Sequence, residues 1–151
     1  MHISARADYA VRAAVELAAA GDEPTKGEAL AQAQGIPPKF LEAILSTLRR
    51  AGLVNSRRGA DGGYWLAKPA REITVADVVR AVDGPLAGVR GLRPESVSYV
   101  GAATELPQVW IAVRASMRAV LEHVSLADLA SGRLPARVKR LAADPEAWTT
   151  R

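Results

Sequence analysis

Cysteine is absent from all 151 residues, which removes disulfides, thiolate metal sites and a cysteine nucleophile together. Histidine is almost absent as well. His2 and His123 are the only two and stand far apart, too sparse a set for a histidine-built metal centre. Aromatic residues make up 5% of the chain, so the core has to be assembled from aliphatic side chains. Long uncharged apolar runs are also missing. The most apolar stretch, near the N-terminus, is interrupted at four-residue steps by Asp8, Arg12 and Glu16, a pattern that neither a secretory leader nor a membrane span tolerates. The expected location is therefore cytoplasmic. No carboxylate pair, nucleophile–histidine set or phosphate-cradling loop stands out, so an enzyme is the least supported class, and neither a cofactor nor a metal is expected.

What remains is an ordinary globular balance, 49% hydrophobic and 24% charged. The length suits one domain with an appendage rather than two full domains. The net charge of +4 and a pI near 9.8 suit an anionic partner. Most of that charge is local. From 39 to 71, Lys39, Arg49, Arg50, Arg57, Arg58, Lys68 and Arg71 meet only Glu42 and Asp61, a net +5.

The periodicity predicts a helix from the Ser4 cap to about Ala20, apolar on nearly every face. Thr25-Lys26-Gly27-Glu28 has the form of a capping box opening a short helix that ends at Gly35. A tight turn, Ile36-Pro37-Pro38, leads into a third helix that carries Phe40, Leu41, Ile44, Leu45 and Leu48 at helical spacing and stops at Gly52. LVNSR and YWLAK then suit two short strands around RGADGG, a β-hairpin with a basic, glycine-rich tip. Thr74 with Asp77 caps a fourth helix, and the glycine- and proline-rich stretch 84–105 is a long loop with at most one brief strand near SVSYV. From Leu106, the residues Leu106, Trp110, Val113, Met117, Val120 and Val124 form a heptad seam. Ser125 and Asp128 cap a further short helix, and ARVKRLAA adds a last amphipathic piece.

Two short helices meeting at a tight turn, followed at once by a basic hairpin, make a winged helix-turn-helix. The fold class expected is mainly α with a small β-hairpin wing and a long dimerisation helix. The helix after the turn has the diameter to enter a DNA major groove, its N-terminal residues leading. Pro38, Lys39 and Phe40 sit at that edge, with Glu42 and Ala43 one turn deeper, and Arg49 and Arg50 toward the far end suit phosphate. Glu42 either accepts from a cytosine amino group or pairs internally with Lys39, Arg49 or Arg50. In the hairpin, Gly59, Gly62 and Gly63 give a thin backbone that can approach a phosphate ridge or minor groove. Arg58 suits the negative potential there, while Arg57 faces either the DNA backbone or the protein. Thr25 and Tyr64 complete the candidate DNA-binding set. Trp65 is expected to pack beneath the hairpin.

The segments ISARADYAVRAAVELA, GIPPKFLEAILSTLRRAGLVNSRRGADGGYWLAKPA and ITVADVVRAVDGPL resemble the iron–sulfur-regulator family of winged-helix repressors (IscR/NsrR/CymR-like, "Rrf-two"). The likeness is close over roughly 1–86 and extends more weakly to about 131, where the long helix and SLADLA are similar to the family's dimerisation helix and its continuation. It implies a homodimeric DNA-binding transcription regulator, with Pro38, Lys39, Phe40 and Glu42 on the operator's major groove and Arg58 in its minor groove. One departure matters. Cluster-binding members carry three cysteines in the loop that here reads GPLAGVRGLRPESVSYVGAATE and has none, so a thiolate-held cluster is chemically excluded.

The expected organisation is a DNA-binding unit over 1–83, a cysteine-free loop over 84–105, and a dimerisation helix with short helices over 106–151. The partners expected are double-stranded operator DNA and a second copy of the chain through the heptad seam. The alternatives are a protein-interaction module, and a small-molecule sensor with a pocket between protomers formed by the 84–105 loop. Asp8, Tyr9 and Arg12 either border an effector site or form a structural charge stripe. His123 with Glu122 and His2 with Asp8 read as exposed pairs rather than metal or proton sensors.

Overall fold

The computed structural model describes residues 1–150. The chain runs through α1 (Ala5–Ala20), α2 (Gly27–Gln34), α3 (Pro38–Arg50), β1 (Val54–Arg57), β2 (Gly63–Leu66), α4 (Val75–Asp83), α5 (Leu106–Leu121), α6 (Leu126–Ser131) and α7 (Ala136–Ala142). No helix among the described residues is long and apolar enough to cross a membrane.

At the centre lies α1, capped by the Ser4 hydroxyl accepting from the Ala7 N–H at 2.9 Å. Its inward residues are Ala7, Ala10, Ala13, Ala14 and Leu17. Such small side chains let neighbouring helices approach closely, and α1 accordingly touches α2, α3, α4, α6 and β2. Leu30, Leu41, Ile44, Leu45, Leu48, Ile73 and Val78 fill the space around it, all buried. Burying each leucine-sized side chain contributes about 1.5–3 kcal/mol.

The expected capping box at Thr25 does not form. Lys26 stands at the N-cap of α2 and no side chain caps it. Thr25 instead exchanges two backbone bonds with Tyr64, at 2.9 and 2.8 Å, adding a short third edge to the β1–β2 hairpin. Its hydroxyl reaches only the Glu23 carbonyl, at 3.4 Å. Two well-formed backbone bonds outweigh one hydroxyl cap.

The hairpin is antiparallel, with Val54 opposite Leu66 and Arg57 opposite Gly63. The strand anticipated near SVSYV is also absent, since no other strand lies beside it to complete a ladder. That segment lies between two 3-10 turns, Pro94–Ser96 and Gly101–Ala103, with Val97 buried.

Two capping boxes face each other across the molecule's waist. Thr74 with Asp77 caps α4, and Ser125 with Asp128 caps α6. Between them, the Val75 N–H donates to the Val124 carbonyl and the Leu126 N–H to the Ile73 carbonyl, both at 2.9 Å. This pairing carries α6 back onto α1, where Leu126 is fully buried in the core. The core of the DNA-binding unit is therefore completed by a residue outside 1–83.

Helix α5 has no buried residue. Its seam members Leu106, Trp110, Val113, Met117 and Val120 are half-buried, and the Trp110 indole N–H donates to the Tyr99 hydroxyl at 3.3 Å. Val124, counted at the end of that seam, lies past the helix in the protomer's own core.

Candidate nucleic-acid interface

Helix α3 is placed by the turn before it. Gly35 takes a left-handed conformation (φ 60°), the Ile36 N–H donates back to the Ala31 carbonyl at 2.9 Å, and Ile36 is buried. Pro38 then occupies the first turn, where its missing N–H costs nothing. With 3.6 residues per turn, Leu41, Ile44, Leu45 and Leu48 face inward and anchor the helix. The opposite ridge is Lys39, Ala43, Ser46 and Arg50, with Glu42 and Arg49 flanking it on the wing side and Phe40 and Thr47 on the α1 side.

Phe40 is only partly available. Its ring meets Tyr9 edge to face, with centroids 5.6 Å apart, and it remains 46% exposed. Thr47 organises the cations beside it: its hydroxyl donates to the Ala43 carbonyl and accepts from Arg6 at 3.0 Å and Arg50 at 3.3 Å. Arg49 braces the far end of α3 on the Ser56 hydroxyl at 3.2 Å. Glu42 is exposed and makes none of the internal pairs considered for it; neither it nor Lys39 has a hydrogen bond or ion pair among the described residues.

In the wing, Arg57 turns back to donate to the Asp61 carbonyl at 3.0 Å, and Lys26, at the N-cap of α2, donates to the Gly59 carbonyl. Arg58 is exposed with no internal partner among the described residues. Between α2, α3 and the wing runs a groove of about 400 Å³, lined by Lys26, Glu28, Lys39, Glu42, Arg58 and Tyr64 among others. Thr25 reaches this region through its backbone pairing with Tyr64 rather than through an outward hydroxyl. Trp65 lies elsewhere, beside Leu17, Asn55 and Pro69 at the root of the hairpin.

The wing's glycines divide by role. Gly59 is exposed, with φ 104° and nothing within 4 Å of where a β-carbon would be. Gly62 and Gly63 are buried, so they do not offer the thin outer edge expected of them. A β-carbon on Gly62 would sit 2.0 Å from the Arg57 carbonyl oxygen, and one on Gly63 2.7 Å from the Thr25 oxygen. They allow the hairpin to close on itself and on the Thr25 edge.

Asp8, Tyr9 and Arg12 form a brace. Arg12 pairs with Asp8 at 3.0 Å, lies 5.3 Å from the Tyr9 ring centre, and bonds both the side chain and the backbone carbonyl of Gln34. Gln34 in turn donates to Glu16. A cation on the last carbonyls of α2 also complements that helix's dipole. These contacts tie α1 to the helix-turn-helix, with Asp8, Arg12, Glu16 and Gln34 engaged with one another.

Three residues at this face stand outside the candidate DNA-binding set. Ser46 is one of the outward positions of α3, seven residues after Lys39 on the same ridge. Arg6 and Lys26 come from other elements, and no local pattern links them to α3 or to the wing.

Residues 3–132 match the family model described as Rrf2, iron-dependent transcriptional regulator. A helix-turn-helix-type transcriptional regulator of Mycobacterium tuberculosis is 54% identical over 145 residues, covering 95% of this chain and 90% of that protein. The regulator CymR of Bacillus subtilis is 39% identical over 132 residues, covering 87% of this chain and 91% of its own. Among solved structures, CymR, described as the global cysteine regulator of B. subtilis, superposes with a TM-score of 0.74 at 35% identity, over 87% of this chain and 98% of that one. IscR of T. potens gives 0.67 at 31% identity, over 100% of this chain and 93% of that one.

Proposed function

The chain belongs to the Rrf2 family of transcriptional regulators, and from that premise we propose that it works as a homodimeric repressor, seating α3 in the major groove and the wing in the minor groove of a two-fold-related operator. It has the DNA-binding winged-helix fold and, like its relatives, is no enzyme. The observation that carries the finer reading is the pair of uncommitted cations. Lys39 leads the outward ridge of α3 and Arg58 stands at the wing, both exposed and without internal partners among the described residues. Around them the other cations are held in place, Arg6 and Arg50 by Thr47, Lys26 by Gly59 and Arg57 by Asp61. Fixed cations position a protein on phosphate, and free ones at a groove edge are available to read it.

The second copy is proposed to pack along α5. That helix is half-covered on its seam and uncovered on the adjoining strip Val109, Ala112 and Ser116, with Val109 51% exposed. A helix with an apolar seam, an uncharged strip beside it and no buried residue calls for a partner. Two-fold pairing would set the recognition helices about 34 Å apart, one turn of DNA, or a multiple of that.

The family's description implies iron, and the donor set here does not fit it. The chain has no cysteine, and no group of three or more histidine or carboxylate side chains among the described residues could hold a metal ion. The loop at 84–105 supplies two carboxylates, Glu95 and Glu105, and two arginines. The proposal therefore includes no cysteine-ligated cluster.

Fluorescence anisotropy with labelled promoter fragments tests the reading. Binding should saturate at two chains per site and weaken steeply with salt, with each lost phosphate contact lowering the log–log slope by about 0.9. Arg58→Ala should lose most affinity on sites with A·T-rich flanks, and Lys39→Ala should lose affinity with a shallower salt slope. Absence of any complex in dilute buffer would refute the proposal.

A further inference from the structure

A cavity of about 700 Å³ lies between the end of α4, the loop that follows it, and α5, and shares no residue with the DNA-facing groove. Its volume is in the range of small-molecule sites. Four arginines line it: Arg80 from α4, Arg93 from the loop, and Arg114 and Arg118 one turn apart on α5. Two carboxylates, Asp83 and Glu95, line it with them.

The acids do not saturate these cations. Asp83 accepts from the Ser4 hydroxyl at 2.6 Å. Glu95 takes one guanidinium N–H of Arg114 at 2.6 Å. Glu122, just outside, is shared between Arg80 and Arg118. Arg93 makes no hydrogen bond or ion pair among the described residues, although its charge acts on Glu95. Each guanidinium carries five N–H donors, so most of them are left without a protein acceptor. Arg114 is nonetheless largely withdrawn from water, its side chain 15% exposed.

The loop wall is a defined shape. Val89 and Leu92 exchange two backbone bonds of 2.9 Å, and Ala87 before the pair and Arg90 within its turn hold positive φ, 52° and 51°. Residues with a β-carbon adopt that region only when the surrounding structure imposes it. Several planar, fork-shaped donors lining one cavity favour two-toothed binding of oxyanions, and the same positive charge disfavours a metal cation.

We propose that this cavity binds a small multivalent oxyanion, a phosphate ester or a di- or tricarboxylate, held by Arg93 and Arg118 with Arg80 and Arg114 behind them. Such a ligand spans α4 of the DNA-binding unit and α5. The assignment does not depend on the DNA-binding reading.

The test is calorimetric titration of the full-length protein with sodium pyrophosphate and with sodium citrate at constant ionic strength, chloride serving as the control anion. The wild type should take up one anion per chain saturably, and Arg93→Gln combined with Arg118→Gln should weaken it at least about tenfold, the scale of a lost charge-assisted bond. Arg93→Lys, which keeps the charge and loses the fork, should fall between. Lys39→Ala with Arg58→Ala should bind as the wild type does. Stronger uptake of pyrophosphate identifies a phosphoryl ligand, and stronger uptake of citrate a carboxylate. Absence of saturable uptake of either probe overturns the proposal. So does uptake that survives the cavity variants, or uptake that disappears with the DNA-face pair.

Discussion

Substituting Gly62 by alanine is the most direct challenge to the account of the wing. The new β-carbon would lie 2.0 Å from the Arg57 carbonyl oxygen and 2.8 Å from the carbonyl carbons of Arg57 and Arg58, all backbone atoms. Ordinary contact begins more than an ångström further out than that oxygen, and no side chain can swing aside to make room. Relief requires the strand ends to part, which breaks the bond of 3.0 Å from the Gly62 N–H to the Gly59 carbonyl and strains the pairing of Arg57 with Gly63. Overpacking of this kind costs about 1–3 kcal/mol and a lost hydrogen bond about 1 kcal/mol, so the expected loss is about 2–4 kcal/mol. Ala60→Ser, at the exposed tip, should stay within about 0.5 kcal/mol of the wild type. Urea unfolding followed by circular dichroism gives the stabilities, and anisotropy on an operator fragment reports whether Arg58 is still presented. If Gly62→Ala unfolds with the wild-type midpoint and binds DNA as well, the hairpin has room the geometry denies it.

Leu126→Ala should cost about 2–5 kcal/mol in the same unfolding assay, because Leu126 fills the core beside α1; a loss below about 0.5 kcal/mol would place α6 outside the cooperative unit. Hydrogen bonding from Arg80 holds the Glu122 carboxyl below its usual value near 4.5, and Glu95 is lowered first by its backbone hydrogen bond and then by Arg114. Both carboxyls have folded values below the unfolded ones, so their stabilisation is present above about pH 4.5 and lost as the pH falls through the lowered values. Thermal melts between pH 7 and pH 3 should therefore fall less steeply for Glu122→Gln than for the wild type, and identical slopes would remove Glu122 from the acid response. Val113→Asp with Met117→Asp should sediment as a monomer with a native far-ultraviolet spectrum, and a persistent dimer would move the interface off this seam.

The helices and the wing were legible because their signals are local. Ser4, Thr74 with Asp77 and Ser125 with Asp128 cap the helices that the spacing assigns to them, and Gly35 and Gly132 end theirs in the left-handed conformation. The readings that failed were those decided by distant partners. Thr25 has the form of a capping residue, but Tyr64, about forty positions on, claims its backbone. Gly62 and Gly63 carry the composition of an exposed tip, yet Arg57 and Thr25 crowd them from inside. Four arginines spread from 80 to 118 share no local pattern, and only the fold gathers them around one cavity. The outward ridge of α3 was partly visible: Lys39, Ala43 and Arg50 follow from the turn and the apolar spacing, and Ser46 follows from the same count.

The reciprocal caps at Thr74 and Ser125 have a consequence for how such a chain can vary. Between Val75 and Val124 the chain runs through α4, which packs on α1, then through the loop and α5, and returns to the pair of backbone bonds it left from, like a hoop soldered at one joint. Lengthening or rebuilding a hoop closed in this way adds only a slowly growing entropy cost, about 0.6 kcal/mol for each doubling of its contour. The part of the arc beyond α4 is thus free to change in length and shape while the joint, and the helices packed around α1, keep theirs.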